Sequence, residues 1–258
     1  LREGGQTYQQ GLVSIVTPVY KAARYIEETI RSVQAQTYKD WELLLIDDCS
    51  PDNSGEIIER LAQADARIRY HRLEQNSGAA VARNTAIGMA RGEYLAFLDS
   101  DDLWEPEKLS RQTRFIQEKG CAFSYTRIRM TDAEGNTLKD DIHVPEKISY
   151  QGLLRQTVIA TSTVILNRTK LTDFRMPLRR SGQDYATWLQ ILRETGYAYG
   201  LNETLTVYRT SSDSLSSNKL DSVRQVFEIQ TQDEHINPLS AALNTLCFCW
   251  YAFKKHYM

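Results

Sequence analysis

The chain has 258 residues, which at about 150 residues per domain means one large or two small domains with a sizeable core. Charged residues make up 25% and hydrophobic ones 41%, ordinary values that exclude a disordered, collagenous or coiled-coil chain. With 31 basic and 33 acidic side chains the net charge is -2, so there is no global positive field to hold a nucleic-acid backbone, and nucleic acid is excluded as a partner.

The 4 cysteines, at positions 49, 121, 247 and 249, are too few and too unevenly spaced for a disulfide framework and fit a reducing compartment. No apolar run approaches the roughly 20 residues of a membrane-spanning helix, and the N-terminus lacks a basic segment followed by an apolar one. The expectation is a cytoplasmic protein, peripheral at most to the inner face of the cell membrane. Arg2 to Gln10 are polar and aperiodic, so residues 1–11 are read as a loose arm or expression remnant.

Four short β-rich runs follow: Leu12 to Val16, Trp41 to Ile46, Ile68 to Leu73 and Tyr94 to Leu98. Helical segments alternate with them. Ile26, Ile30 and Val33 form an amphipathic stripe, Ile57, Ile58 and Leu61 another, and Asn76-Ser77-Gly78 opens a third helix over Ala79 to Ala90. This alternation predicts an α/β sandwich around a mostly parallel, Rossmann-like sheet. Pro106 suits the first turn of a helix running to Gln117, closed by Gly120. Cys121 to Met130 reads as a strand, and the turn residues Asp132 to Asn136 return it as a hairpin from Leu138 onward. Thr161 to Leu166 and Leu205 to Arg209 are further strands, with a helix from Gln183 to Thr195 between them that buries Trp188, Leu189 and Leu192. The second half is therefore mixed α+β, and no linker or repeat divides the chain.

In an open parallel sheet, ligands bind beyond the carboxyl ends of the strands. Those ends here read Thr17-Pro18-Val19-Tyr20, Asp47-Asp48-Cys49-Ser50, Gln75-Asn76-Ser77-Gly78 and Asp99-Ser100-Asp101-Asp102. Such residues also make ordinary turns. Clustered carboxylates repel one another, however, and a hard divalent ion relieves that repulsion; oxygen-only donors favour Mg2+ or Mn2+ and imply a diphosphate-bearing ligand. Asp47 or Asp48 is placed to accept from a base or ribose, Tyr20 to stack, and Arg83 to reach the base or diphosphate. No Gly-Lys-Ser/Thr phosphate loop and no Gly-x-Gly-x-x-Gly fingerprint is present.

The segments Val13 to Tyr20, Ser32 to Leu43, Ile46 to Ser50, Asn76 to Asn84 and Gly92 to Asp102 resemble, in order, those of family 2 glycosyltransferases with the GT-A fold, notably bacterial enzymes that build surface polysaccharides. The resemblance is dense from Leu12 to Leu109 and thinner to Asn218. It implies that residues 12–103 bind a nucleotide sugar, 104–236 bind the acceptor and carry catalysis, and 237–258 form a C-terminal helix. By the same resemblance Thr17, Pro18, Tyr20 and Asp47 or Asp48 hold a nucleobase, usually uracil, supported by Arg83. Asp99 and Ser100 meet the ribose or sugar, and Asp101, with Asp99, binds the ion. Gln183-Asp184-Tyr185 matches the segment that supplies the catalytic base, usually as a Glu-Asp pair; Gln183 replaces the Glu, leaving Asp184 as the base. Tyr208-Arg209 and Ser214 to Asn218 resemble a loop that closes over the diphosphate.

The implied reaction is inverting transfer from a nucleoside-diphosphate sugar, with UDP the expected nucleotide, to a hydroxyl of a glycan or lipid-linked saccharide. Two other readings compete: a sugar nucleotidyltransferase, which needs more basic residues after the first strand than Lys21, and a nucleotide-sugar-binding module without turnover. Three assignments stay open. Trp104 either stacks on a sugar or packs in the core; Gln183 and Tyr185 are candidate acceptor contacts; and Leu243 to Tyr257, where apolar residues precede Lys254 and Lys255, either lies on an anionic membrane or packs on the domain. The four histidines share no metal-ligand spacing, and Cys247 and Cys249 read as apolar helix filling.

Overall fold

The structure, a computed structural model, describes residues 7–210 and 219–257. The expected alternation is present in the first half as β1 (Gln9–Val19), α1 (Ile26–Gln34), β2 (Trp41–Asp47), α2 (Ser54–Ala64), β3 (Ile68–Arg72), α3 (Ala79–Met89) and β4 (Gly92–Phe97). Strands β3, β2, β1 and β4 lie side by side and parallel, with Val13 opposite both Trp41 and Tyr94. The central strands are apolar on both faces because helices cover both. Ile15, Leu43 and Leu45 pack toward Ile26, Ile30 and Ile58 on one side, while Val16, Leu44 and Ile46 pack toward Ala82 and Ala86 on the other.

The second half adds β5 (Leu103–Trp104), α4 (Lys108–Lys119), β6 (Phe123–Thr131), β7 (Thr137–Ile142), β8 (Lys147–Ser149), α5 (Tyr150–Leu153), β9 (Ile165–Asn167), α6 (Gln183–Thr195) and β10 (Tyr197–Arg209). The sheet runs unbroken in the order β3-β2-β1-β4-β9-β6-β10-β5, with β7 paired to β6 and β8 to β10. The expected boundary between residues 103 and 104 falls inside β5. Trp188 of α6 seals this half against the first, its ring 5.3 Å from those of both Phe97 and Phe123.

Several elements differ from expectation. Gln9 and Gln10, expected in a loose arm, belong to β1; Gly11 at φ 76 sits where the pairing of β1 with β4 shifts register. Residues 1–6 of that arm lie outside the described residues. Thr161 to Thr163 form a tight 3-10 turn rather than a strand, and β9 begins only at Ile165. Strand β10 starts at Tyr197, eight positions before the expected Leu205, because it pairs with β6, β8 and β5 in turn. The hairpin of β6 and β7 and the left-handed Gly120 after α4 form as expected.

Helices α7 (Lys219–Glu228) and α8 (Pro238–Tyr257) follow, joined through a π-helical turn at Ile229–Asp233. Helix α8 is amphipathic in an inverted sense. It buries Ala241, Asn244, Thr245 and Phe248 while Leu239, Leu243, Leu246 and Trp250 form an exposed stripe. Asn244 is held by a 3.0 Å bond to Gln230, which also donates to the Leu154 carbonyl. Cys247, expected as filling, is exposed. Among the described residues no helix is long and apolar enough to cross a membrane.

Candidate active site

The carboxyl ends of β1, β2 and β4 open on the same edge of the sheet, as parallel pairing requires. Thr17 is fully buried there, Pro18 half-buried, and Tyr20 exposed with the Lys21 ammonium 5.3 Å from its ring centre. The two aspartates at the end of β2, Asp47 and Asp48, bond extensively to the protein. Asp47, fully buried, accepts from Ser50 N–H at 2.8 Å, the Tyr70 hydroxyl at 2.8 Å and Arg72 at 3.3 Å. These bonds tie β2 to β3. Asp48 accepts from the backbone N–H groups of Ser77 (2.6 Å) and Gly78 (2.8 Å), so it shapes the loop ahead of α3.

Beyond β4 the carboxylates separate by environment. Asp99 Oδ1 accepts a 2.5 Å bond from Arg83 Nη2 on α3. The Ser100 carbonyl is held by the Thr29 hydroxyl at 3.0 Å. Asp101 is half-buried; burial, and then the neighbouring Asp99 charge, push its carboxyl up to about 6, partly offset by Arg209 and Arg83. Asp102 is buried and tied to the second half, accepting from Ser162 Oγ at 2.5 Å and from Arg209 N–H at 2.9 Å. Burial and then the charges of Asp101 and Asp99 push its carboxyl well above the usual range.

Asp184 is the second residue of α6, whose N-cap Gly182 adopts φ 72. Its Oδ2 accepts from the Thr161 hydroxyl at 2.7 Å and its Oδ1 from Tyr185 N–H at 2.8 Å. Arg83 connects the two halves electrostatically: burial works against its charge, but Asp99, Asp184 and Asp101 together raise its pKa. Of the three, Asp99 pairs with Arg83 directly, while Asp184 and Asp101 act on the same cation through their charge. Arg209 closes one side. It bonds Glu28 at 2.8 Å, and its guanidinium lies 4.5 Å from the Tyr25 ring centre. Ser214 to Asn218, the expected closing loop, lie outside the described residues.

Thr17 Oγ1, Arg83 Nε, Gln183 Oε1 and Arg209 Nε are buried without a hydrogen-bond partner. Trp41 Nε1, Thr131 Oγ1 and Trp188 Nε1, outside the expected site, are unpaired as well, so the four site atoms leave capacity for a ligand or water without by themselves marking a site. Two candidate acceptor residues are buried, and for Trp104 the core alternative is the one the packing favours. Trp104 is 3% exposed and donates to the Ser162 carbonyl at 2.8 Å, so it packs in the core. Tyr185 is buried too, its hydroxyl turned to the Leu153 carbonyl at 3.3 Å. Gln183 is buried but keeps its free Oε1. Thr161, Ser162, Tyr25 and Glu28 were not foreseen; the Thr-Ser-Thr run was the one available sign, and it read as strand.

The sequence matches the model of glycosyl transferase family 2 over residues 14–175. A Bacillus subtilis (strain 168) protein, TuaG, named provisionally as a teichuronic acid biosynthesis glycosyltransferase, is 42% identical over 241 residues, spanning 93% of this chain and 94% of the relative. The Escherichia coli enzyme WfgD, named as a UDP-Glc:alpha-D-GlcNAc-diphosphoundecaprenol beta-1,3-glucosyltransferase, is 37% identical over 246 residues, 95% of either chain. Among solved structures, S. aureus TarS 1-349 in complex with UDP-GlcNAc aligns with a TM-score of 0.67 at 19% identity, over 90% of this chain and 70% of that one. A Pyrobaculum calidifontis mannosyltransferase in complex with GDP-Man and Mn2+ gives 0.68 at 16% identity, over 90% and 69%. At such identities these two likenesses establish the fold, that of GT-A glycosyltransferases. The chain belongs to glycosyl transferase family 2 and is a glycosyltransferase.

Proposed function

We propose that this enzyme transfers a sugar, with inversion, from a UDP-sugar to a hydroxyl of a lipid-linked saccharide, with Asp184 as general base. The observation that carries the reading is the pair of adjacent hydroxyls on Thr161 and Ser162, the first bonded to Asp184 and the second to Asp102 and the Asp99 N–H, which supports a donor-side acidic loop and a separate carboxylate acting together. The donor and acceptor classes rest on WfgD, whose name specifies UDP-Glc and a diphosphoundecaprenol-linked sugar.

The residues fit a divalent ion. Asp101 and Asp99 offer carboxylate oxygens alone, and Arg209 and Arg83 only partly offset the desolvation of the Asp101 carboxyl. No group of three or more candidate ligands forms among the described residues; a Mn2+ or Mg2+ ion would be held by Asp101, with Asp99, and by substrate phosphates. Such an ion, when bound, neutralises charge on the departing diphosphate. Thr17 and Tyr20 line the nucleotide end, with Asp48 shaping its floor. Arg83 fixes Asp99 toward the sugar. Asp184 accepts the proton of the acceptor hydroxyl as that oxygen attacks the anomeric carbon from the face opposite the diphosphate, which inverts the centre. A diphosphate leaves without the general acid that an alcohol leaving group needs, so one base suffices. Helix α8 rests on the cytoplasmic face of the membrane through residues 243–257, where a lipid-linked acceptor is anchored.

Turnover of a UDP-sugar panel with a diphospholipid-linked acceptor and Mn2+ tests the reading. Asp184→Asn lowers kcat by about 100-fold or more while UDP binding stays within about twofold. Asp101→Asn weakens Mn2+-dependent UDP binding as well. Full activity in either variant overturns the assignment, and UDP binding without turnover on any acceptor favours a binding module.

A further inference from the structure

The segment Thr161 to Thr163 is a single tight turn, yet its first two residues engage both Asp184 and the Asp99–Asp102 loop. The Thr161 hydroxyl donates to Asp184 Oδ2 at 2.7 Å. The adjacent Ser162 hydroxyl uses both of its capacities on the other side: it donates to Asp102 Oδ2 at 2.5 Å and accepts from the Asp99 backbone N–H at 3.0 Å. The turn is itself immobilised. Trp104 Nε1 donates to the Ser162 carbonyl at 2.8 Å, Gln112 Nε2 to the Thr163 carbonyl at 2.9 Å, and the Thr163 hydroxyl closes back on the Ala160 carbonyl at 2.6 Å. Thr161, Ser162 and Thr163 are 6%, 1% and 1% exposed, so water does not compete for these bonds.

On this geometry, and resting on the reading of Asp184 as base, we infer that the turn is the spacer that sets the distance between the base and the donor-binding carboxylates, with Thr161 and Ser162 as positioning residues of separable effect. Thr161 governs the orientation of Asp184. Oδ1 of that carboxylate is already engaged by Tyr185 N–H, and the Thr161 bond at Oδ2 removes its remaining freedom to rotate, which aims the lone pair left on Oδ2. Ser162 governs the loop of Asp99 to Asp102. It fixes the backbone at Asp99 and the side chain of Asp102, between which Asp101 is carried. A one-ångström error at either hydroxyl misplaces a different partner in the reaction, the acceptor's proton in one case and the donor's diphosphate in the other.

Separability is what the experiment reads. Steady-state kinetics with the donor varied at saturating acceptor, Mn2+-dependent UDP binding by calorimetry, and Tm are measured for Thr161→Val, Thr161→Ser and Ser162→Ala, with Asp184→Asn as reference. Thr161→Val lowers kcat about 10- to 100-fold with donor KM and UDP binding within about twofold of native, and Thr161→Ser returns kcat to within about threefold. Ser162→Ala raises donor KM and weakens UDP binding by about tenfold. Equal effects of the two substitutions on kcat and KM, failure of Ser to rescue, or a Thr161→Val enzyme with native kcat each overturn the inference; if Thr161→Val does not fold, Thr161→Ala is read by the same criteria. The two readings fail in different ways. An inactive Asp184→Asn beside a native-like Thr161→Val removes only the spacer, whereas an active Asp184→Asn removes the base and the spacer with it.

Discussion

Asp101 and Asp102 are neighbours in sequence with opposite fates. Asp102 spends its carboxylate on Ser162 and Arg209 N–H and serves the scaffold, whereas Asp101 is half-buried, its pKa raised to about 6 by burial and Asp99. A carboxyl that binds its proton more tightly folded than unfolded costs stability once ionised. That cost is complete above about pH 6 and disappears below the ordinary carboxylate range. Asp101→Asn therefore raises the stability of the metal-free protein by on the order of 1–2 kcal/mol at pH 7.5 and by almost nothing at pH 4, as paired urea denaturations will register. The same substitution impairs nucleotide binding, a trade of stability for function common at charged sites.

Helix α6 carries the proposed base on its first turn, and its entry is shaped by one glycine. Gly182 stands at φ 72, and a Cβ there would come within 2.8 Å of Ile229 Cδ1 from the π-helical turn behind it. Both the left-handed backbone and the close approach oppose any larger residue. Gly182→Ala is expected to lose about 1–3 kcal/mol in urea denaturation, by strained backbone and overpacking together. The periodicity of α6 was readable, since Trp188, Leu189 and Leu192 recur at helical spacing and are all buried. The turn at Thr161–Thr163 was not, because a run of β-branched and hydroxyl residues has strand propensity; distant partners such as Trp104 and Gln112, which donate to its carbonyls, hold it in the turn.

At the scale of the molecule, α8 packs on the second half through Ala241, Phe248 and the buried polar residues Asn244 and Thr245, and turns a second apolar stripe outward. Leu243 is 58% exposed and Trp250 61%, while Asn244 and Thr245 are buried beneath them. Residues 238–258 contain no Asp or Glu, and Lys254 and Lys255 follow the stripe in sequence. An apolar face ending in basic residues matches an anionic bilayer surface. Co-sedimentation with vesicles containing anionic phospholipid is expected for the native protein. It should fall at least about tenfold for Leu243→Glu with Trp250→Glu, since two stripe positions then carry charge. Turnover of a water-soluble acceptor analogue should stay unchanged. Equal sedimentation of native and variant protein would remove the bilayer contact.

Reading the sequence by itself determined the order of strands and helices in the first half, the polar strand ends and the family, because hydrophobic period and turn chemistry are properties of neighbouring residues. Tertiary structure alone decided which of those polar residues face the cleft. Asp47 is absorbed by Tyr70 and Arg72, Asp102 by a backbone N–H that lies 107 residues away, and Trp104 and Tyr185 turn inward to distant carbonyls. Each outcome depends on a partner delivered by another strand or helix, and a buried polar group must find such a partner wherever the chain supplies one.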